Sequence, residues 1–190
     1  MGEITEIRWH GRGGQGAVTA AKLVAEAALR QDKYFQASPE YGPERMGAPI
    51  QAFTRISAEP IDIFCGVTNP NIVAVLDPTL LSTVDVTDGM PADGTLLVNT
   101  SEDPATIREQ TGFSSGTVAT VDATQIAVDT IGKAIPNTPM LGALLKTTGI
   151  MDIDGVLEHV RTSFGKKFAQ EIIEGNVKAV RRAYEEVKIG

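Results

Sequence analysis

The chain has 190 residues, which at about 150 residues per domain favours one domain over two. Hydrophobic residues make up 42% and charged residues 22%, close to the globular average, so the chain can bury a core and is not disordered along its length. With 17 lysines and arginines against 24 acids the net charge is −7, which excludes a protein whose affinity comes from neutralising nucleic-acid phosphates.

No segment approaches the roughly 20 consecutive apolar residues that span a bilayer, and residues 1–5 lack the basic and apolar regions of a signal peptide. The expected location is the cytoplasm, with no membrane and no nucleic-acid partner. The lone cysteine, Cys65, can close no internal disulfide and cannot supply the roughly four thiolates of an iron–sulfur cluster. The two histidines, His10 and His159, show no zinc-type spacing, so no metal is assigned.

Residues 6–10 (EIRWH) alternate as a short strand and run straight into GRGGQG at residues 11–16. Residues 17–29 follow as an alanine-rich helix with Val18, Ala21, Leu23, Val24 and Ala28 on one face. A second strand over residues 34–37 enters a loop at residues 38–49, where three prolines and two glycines forbid regular structure. Residues 50–56 read as an imperfect strand that continues the sheet beside a short strand over residues 61–64.

The run IVAVL at residues 72–76 is apolar throughout, as expected of a parallel strand covered on both faces, and Asp77-Pro78 ends it and opens a helix through Leu81. Strands at 95–98 and 117–121 alternate with helices at 104–110 and 123–131. The fold class is therefore α/β, a Rossmann-like, mostly parallel sheet flanked by helices. Beyond Pro136 only helices are expected, at 140–146, 153–164 and 168–187, the last with Phe168, Ile172, Val177, Val180, Tyr184 and Val187 on its apolar face. The whole chain, 1–190, reads as a single domain, with an α/β region at 1–135 and a helical C-terminal extension at 136–190.

The spacing Gly11-x-Gly13-x-x-Gly16, between a strand and a helix, is that of a dinucleotide-binding turn. The first glycine lets the chain turn, the second lets a ligand approach the backbone, and the third lets helix and strand pack closely. The helix behind it presents unpaired amides and a positive dipole end to a phosphate or carboxylate. The same glycines also suit a tight turn that binds nothing. No acid closes the second strand to hold a ribose, because the nearest, Glu40, lies in the proline-rich loop, and GK[ST] is absent, which argues against nucleotide hydrolysis. Arg12 and Gln15 have the chemistry to contact an anion at the helix entrance. His10 is expected to hydrogen-bond its own turn.

The loop Tyr41-Gly42-Pro43-Glu44-Arg45-Met46-Gly47-Ala48-Pro49 is stiffened by proline. It can present Tyr41, Glu44 and Arg45 to a ligand or neighbour, or brace itself through an internal ion pair. Cys65 reads as a small buried hydrophobe. Lys166, Lys167, Lys178, Arg181 and Arg182 read as a solvated helix face, and His159 as lying on the polar side of its helix.

Taken together, GRGGQGAVTAA, YGPERMGAP and IVAVLDPTLL make the chain one that closely resembles the gamma subunits of the 2-oxoacid:ferredoxin oxidoreductases, most of all those of the pyruvate branch (pyruvate synthase). The likeness covers essentially the whole chain and is strongest from Glu6 to Leu81. It implies a part in a complex that oxidatively decarboxylates a 2-oxoacid with coenzyme A, yielding an acyl-CoA, carbon dioxide and two electrons for ferredoxin. In that family thiamine diphosphate with Mg2+ and 4Fe–4S clusters sit in partner subunits of alpha, beta and delta type, and the chain is inactive alone.

The resemblance further implies that the gamma chain covers the thiamine site and helps bind coenzyme A. Gly11, Arg12, Gly13, Gly14, Gln15 and Gly16 would form the phosphate-facing turn, and Tyr41, Glu44 and Arg45 would face the catalytic subunits. Met46 stands where the family loop often carries a second arginine, which leaves open a branched-chain, aromatic or dicarboxylic 2-oxoacid in place of pyruvate. An independent dinucleotide-dependent oxidoreductase and a scaffold that binds nothing are the alternatives.

Overall fold

The computed structural model describes residues 4–39, 47–165 and 168–190. The elements in chain order are β1 (Ile4–Arg12), α1 (Ala17–Leu29), β2 (Tyr34–Pro39), β3 (Pro49–Ser57), β4 (Ile72–Val75), a short 3-10 turn (Pro78–Ser82), β5 (Thr95–Asn99), α2 (Pro104–Thr111), β6 (Thr117–Val121), α3 (Ala123–Ile131), α4 (Asn137–Thr148), α5 (Ile153–Gly165), α6 (Gln170–Glu186) and β7 (Lys188–Ile189). They build a seven-stranded sheet of order β2-β3-β1-β4-β5-β6-β7. Strands β1, β4, β5 and β6 are parallel neighbours, β3 is antiparallel to β1 and β2, and β7 is antiparallel to β6. The α/β class, with a mostly parallel sheet flanked by helices, stands as expected.

Alternation along β1 decides what each face carries. Ile7 and Trp9 enter the larger core together with the alanines of α1, Ile72 and Ala74 of β4, Leu76 just after it, and the buried side of α4. The Trp9 indole N–H donates to Thr54 Oγ1 at 3.1 Å, and that hydroxyl donates to the Ala21 carbonyl at 3.0 Å, so one buried chain of bonds ties β1, β3 and α1. On the other face Val73 and Val75 of β4 pack with Val86, Leu96, Val98 and Ile107.

Helix α4 is buried continuously from Asn137 to Leu145, the pattern of a helix enclosed on all sides. It is covered by α6, and the two backbones meet where Gly142 faces Val180 and Tyr184.

Several expectations need correction. Residues 61–64 are irregular, because their carbonyls are taken by side chains: Gln36 Nε2 donates to Ile61 O at 3.2 Å and Arg55 Nη1 to Ile63 O at 3.5 Å, while β2 occupies the edge of β3. The segment after Asp77-Pro78 is a 3-10 turn and not an α-helix. The C-terminal region is not helix only, since β7 returns to the sheet. Cys65 is exposed, and His159 is buried against Glu26 and Ser163. Val18, Phe168 and Ile172, placed on apolar helix faces by periodicity, are exposed. Lys178 is exposed as expected, whereas Arg181 pairs with Asp154 and Arg182 with Asp129 and Glu186.

Candidate functional site

The strand β1 runs through Gly11 and Arg12 before it turns. A Cβ on Gly11 would lie 3.3 Å from Ala17 Cβ and 3.5 Å from Gln15 Oε1, so this first glycine serves the close strand–helix packing that the motif normally gives to its third. Gly13 is not open to a ligand. Its amide donates to Ala48 O at 3.0 Å and its carbonyl accepts from Gly47 N at 3.3 Å, which extends the β1–β3 pairing into the end of the proline-rich loop. The left-handed backbone belongs to Gly14 (φ 100°) and Gly16 (φ 83°), conformations that side-chain-bearing residues rarely adopt.

Gly16 is the N-cap of α1 without a side-chain capping bond, and the first-turn amides find no acceptor among the described residues. These amides and the helix dipole favour a negative charge at this point.

The crossovers on either side of β1 set where a ligand can enter. After β1 the chain passes into α1 on the larger core; after β4 it passes through Asp77-Pro78 to Leu81, Val86 and Met90 on the opposite face. Adjacent parallel strands whose connections leave to opposite faces open a crevice at their carboxyl ends, the usual ligand position in such sheets.

Arg12 and Gln15 lie in that crevice, bound to residues for which the sequence had suggested no role. Arg12 Nε is 3.2 Å from Asp77 Oδ2, Nη2 donates to Thr79 Oγ1 at 3.0 Å and Nη1 to Gly47 O at 3.2 Å. Gln15 Nε2 donates to Asp77 Oδ2 at 2.7 Å, while its Oε1 accepts from Arg12 N at 2.8 Å. Asp77 Oδ1 takes the Thr79 amide at 2.9 Å and hydroxyl at 2.6 Å. Burial pushes the Asp77 carboxyl upward, but the bonds from Thr79 and Gln15 and the Arg12 charge outweigh it and hold the group below the usual carboxylate range.

The outcome is a guanidinium fixed on three sides, its side chain 29% exposed, with N–H groups that have no acceptor among the described residues. The acid sought at the end of the second strand stands instead at the end of β4, the spatial neighbour of β1. An aspartate directly after a wholly apolar strand was the available signal.

His10 does not bond its own turn. Its Nε2 accepts from Arg8 Nε at 3.0 Å, and Arg8 Nη2 donates to Val86 O at 3.0 Å and Asp88 O at 2.7 Å. Burial, then the Arg8 charge, lower the imidazole pKa from 6.5 to about 4. Between those values the unfolded chain binds a proton that the folded chain refuses. The stabilisation is thus complete above pH 6.5 and falls as the pH drops toward about 4, by about 3 kcal/mol in all. His10→Gln, which keeps an acceptor for Arg8 and does not titrate, should flatten the dependence of urea-unfolding free energy on pH between these limits. An equal slope in both proteins would contradict this account.

Tyr41, Glu44, Arg45 and Met46 lie outside the described residues, as do Lys166 and Lys167. The described end of the proline-rich loop, Gly47 and Ala48, is pinned to Gly13 and Arg12. Among the described residues no helix is long and apolar enough to cross a membrane.

The family model for pyruvate ferredoxin/flavodoxin oxidoreductase matches residues 6–186. The chain is 53% identical to pyruvate synthase subunit PorC of Thermotoga maritima, over 96% of this chain and 94% of that protein. It is 49% identical to the gamma subunit common to the pyruvate and ketoisovalerate oxidoreductases of Pyrococcus abyssi, over 98% of each. The crystal structure of the Thermotoga maritima subunit superposes with a TM-score of 0.88 at 48% identity, covering 99% of each chain. A 2-oxoglutarate:ferredoxin oxidoreductase from Magnetococcus marinus shares the fold (TM-score 0.78, 18% identity), with this chain spanning 97% of its own length and 31% of that one.

The chain belongs to the pyruvate ferredoxin/flavodoxin oxidoreductase family. Within it, the chain is a gamma-type subunit of a 2-oxoacid:ferredoxin oxidoreductase.

Proposed function

We propose that this gamma-type chain works in a complex that converts a 2-oxoacid, pyruvate in the first instance, and coenzyme A to an acyl-CoA and carbon dioxide, passing two electrons to ferredoxin. In this reading the chain covers the thiamine diphosphate site and supplies a contact to a coenzyme A phosphate. The observation that carries it is the crevice between β1 and β4. There the Arg12 guanidinium is held by Asp77, Thr79 and Gly47, with N–H groups unclaimed among the described residues. A fixed cation suits a phosphate better than a mobile one, because little side-chain entropy remains to be lost on binding.

The residues of this chain do not fit an iron–sulfur cluster, since about four thiolates are needed and only Cys65 is present. The clusters, thiamine diphosphate and Mg2+ are therefore assigned to companion subunits of alpha, beta and delta type. When bound there, thiamine diphosphate supplies carbanion stabilisation for decarboxylation. The part of this chain is binding and enclosure. Gln15 orients Asp77, Asp77 orients Arg12, and Arg12 secures the end of the loop whose residues Tyr41, Glu44 and Arg45 are assigned to the face toward the catalytic subunits.

A second reading concerns substrate only. The Pyrococcus abyssi relative is named as common to pyruvate and ketoisovalerate enzymes, which supports placing oxoacid choice outside this chain and allows a branched-chain 2-oxoacid.

The test is the assembled complex carrying Arg12→Ala. Losing a charged hydrogen-bonding group should raise the KM for coenzyme A about 10- to 100-fold, with the KM for the 2-oxoacid little changed. An unchanged KM for coenzyme A would remove the phosphate contact from the proposal. Turnover by the isolated chain would remove the subunit role.

A further inference from the structure

The glycine turn has a second flank, and it faces a different space. Opposite Arg12, between α1 and the helices α3 to α6, lies a cleft of about 650 Å³, within the size range of small-molecule sites. Its walls are apolar and include Phe164 and Phe168, whose rings meet edge to face at 5.4 Å. Phe168 is 48% exposed and Ile172 is also exposed, so the apolar pair just before and inside the start of α6 is not consumed by the core. It lines an open space.

The inner end of the cleft carries donors. Asn137 opens α4 and is only 9% exposed. Its Oδ1 accepts from the Thr138 amide at 2.8 Å, while the Thr138 hydroxyl donates to Asn176 Oδ1 at 2.8 Å; the Thr138 amide fixes the orientation of the Asn137 side chain and leaves its Nδ2 without an acceptor among the described residues. That Nδ2 sits where a Cβ on Gly16 would come within 2.7 Å, at the head of α1, whose first-turn amides have no acceptor among the described residues. Thus a buried side-chain amide and a helix N-terminus converge from two elements. Lys22, Glu26 and Lys133 also border the cleft; Lys22 pairs with Glu26 at 3.5 Å, which leaves Lys133 as the cation without an acidic partner among the described residues.

A buried donor beside the start of α1, an exposed lysine on the margin and apolar, partly aromatic walls together define a ligand with a charged head and an apolar body. We propose that this cleft binds an amphipathic organic anion, carboxylate- or phosphate-headed, at a site separate from the coenzyme A contact at Arg12. The head lies at Gly16 and Asn137, within reach of Lys133, and the body lies against Phe164, Phe168 and Ile172.

The test uses anilinonaphthalene sulfonate, an anion with an aromatic body, titrated by fluorescence into the full chain and into the assembled complex. A saturable site should appear in both. Lys133→Glu and Asn137→Asp should each weaken binding about tenfold or more, the second by placing a carboxylate where the free amide stands while keeping the acceptor for Thr138. Phe168→Ala should weaken it as well. Because Lys133 and Phe168 are exposed, their replacement tests the site even if the Asn137 variant folds poorly. Decanoate should displace the probe and inorganic phosphate should not.

Unaltered affinity in the Lys133 and Phe168 variants would overturn the proposal. So would loss of binding on assembly, which would make the cleft a subunit interface, or displacement by coenzyme A at concentrations near its KM, which would merge the two sites. Arg12→Ala should leave probe binding intact, so failure here and failure of the coenzyme A contact are told apart.

Discussion

Gly142→Ala should lower the melting temperature by roughly 6–12 °C, the shift expected when about 3 kcal/mol is lost from a chain of this size. In an isolated helix the same change would stabilise by about 1 kcal/mol, since alanine is the better helix former. Packing reverses the sign. A Cβ at this position would overlap the Val180 carbonyl and stand 3.0 Å from the Tyr184 amide nitrogen. Both obstacles are backbone, so no rotamer change relieves them. Helix α4 is enclosed between the sheet and α6, and pushing α6 outward would also loosen Val177 and Val180, which pack with Leu157 and Val160 of α5. Calorimetric unfolding of the full chain measures the shift. A drop below about 2 °C would mean that α4 and α6 separate at little cost.

Asp77→Asn should raise the KM for coenzyme A about tenfold in the assembled complex and leave kcat nearly unchanged. Asp77 is 8% exposed and accepts three hydrogen bonds, from Thr79 N and Oγ1 at Oδ1 and from Gln15 Nε2 at Oδ2, while Arg12 Nε forms an ion pair with Oδ2 at 3.2 Å. An asparagine has one acceptor and one donor end. Whichever way its amide is turned, two donors then face an N–H₂ group, and the cheapest escape is release of the partly exposed Arg12. In an Arg12→Ala background the same change should add little, which is the signature of action through one partner. Equal effects in both backgrounds would show that Asp77 matters for folding and not for placing Arg12. An unchanged KM in the single variant, with Arg12→Ala still impaired, would show that Arg12 needs no such support.

The sequence was most informative where local chemistry decides the outcome. Strand β6 and helix α3 begin and end where alternation and Asp122 place them, because the aspartate carboxylate takes the Gln125 amide and starts the helix by itself. The turn from β1 into α1 was legible for the same reason. What escaped was set by neighbours in space.

The expected strand at residues 61–64 failed because Gln36 and Arg55 claimed its carbonyls, and no periodicity announces that. Phe168 and Ile172 fit an apolar helix face, but spacing cannot say whether anything covers that face. Asp77 was visible only as the residue that stops a strand. Its place beside Arg12 depends on β4 lying next to β1, a matter of register between strands far apart in the chain. The roles of the three motif glycines were likewise redistributed by what packs on them, Ala17 at Gly11 and the Gly47–Ala48 backbone at Gly13.

The crevice network also says something about the order in which the chain acquires its shape. Arg12 reaches Gly47 across 35 positions and Thr79 across 67, and Gln15 reaches Asp77 across 62. Contacts of such long sequence separation must repay the entropy of closing large loops, and they form slowly compared with helices. A nascent polypeptide therefore displays its glycine motif well before the arginine within it has a carboxylate to hold it. Competence to grip an anion at that point arrives with the docking of β4, as a property of the finished sheet.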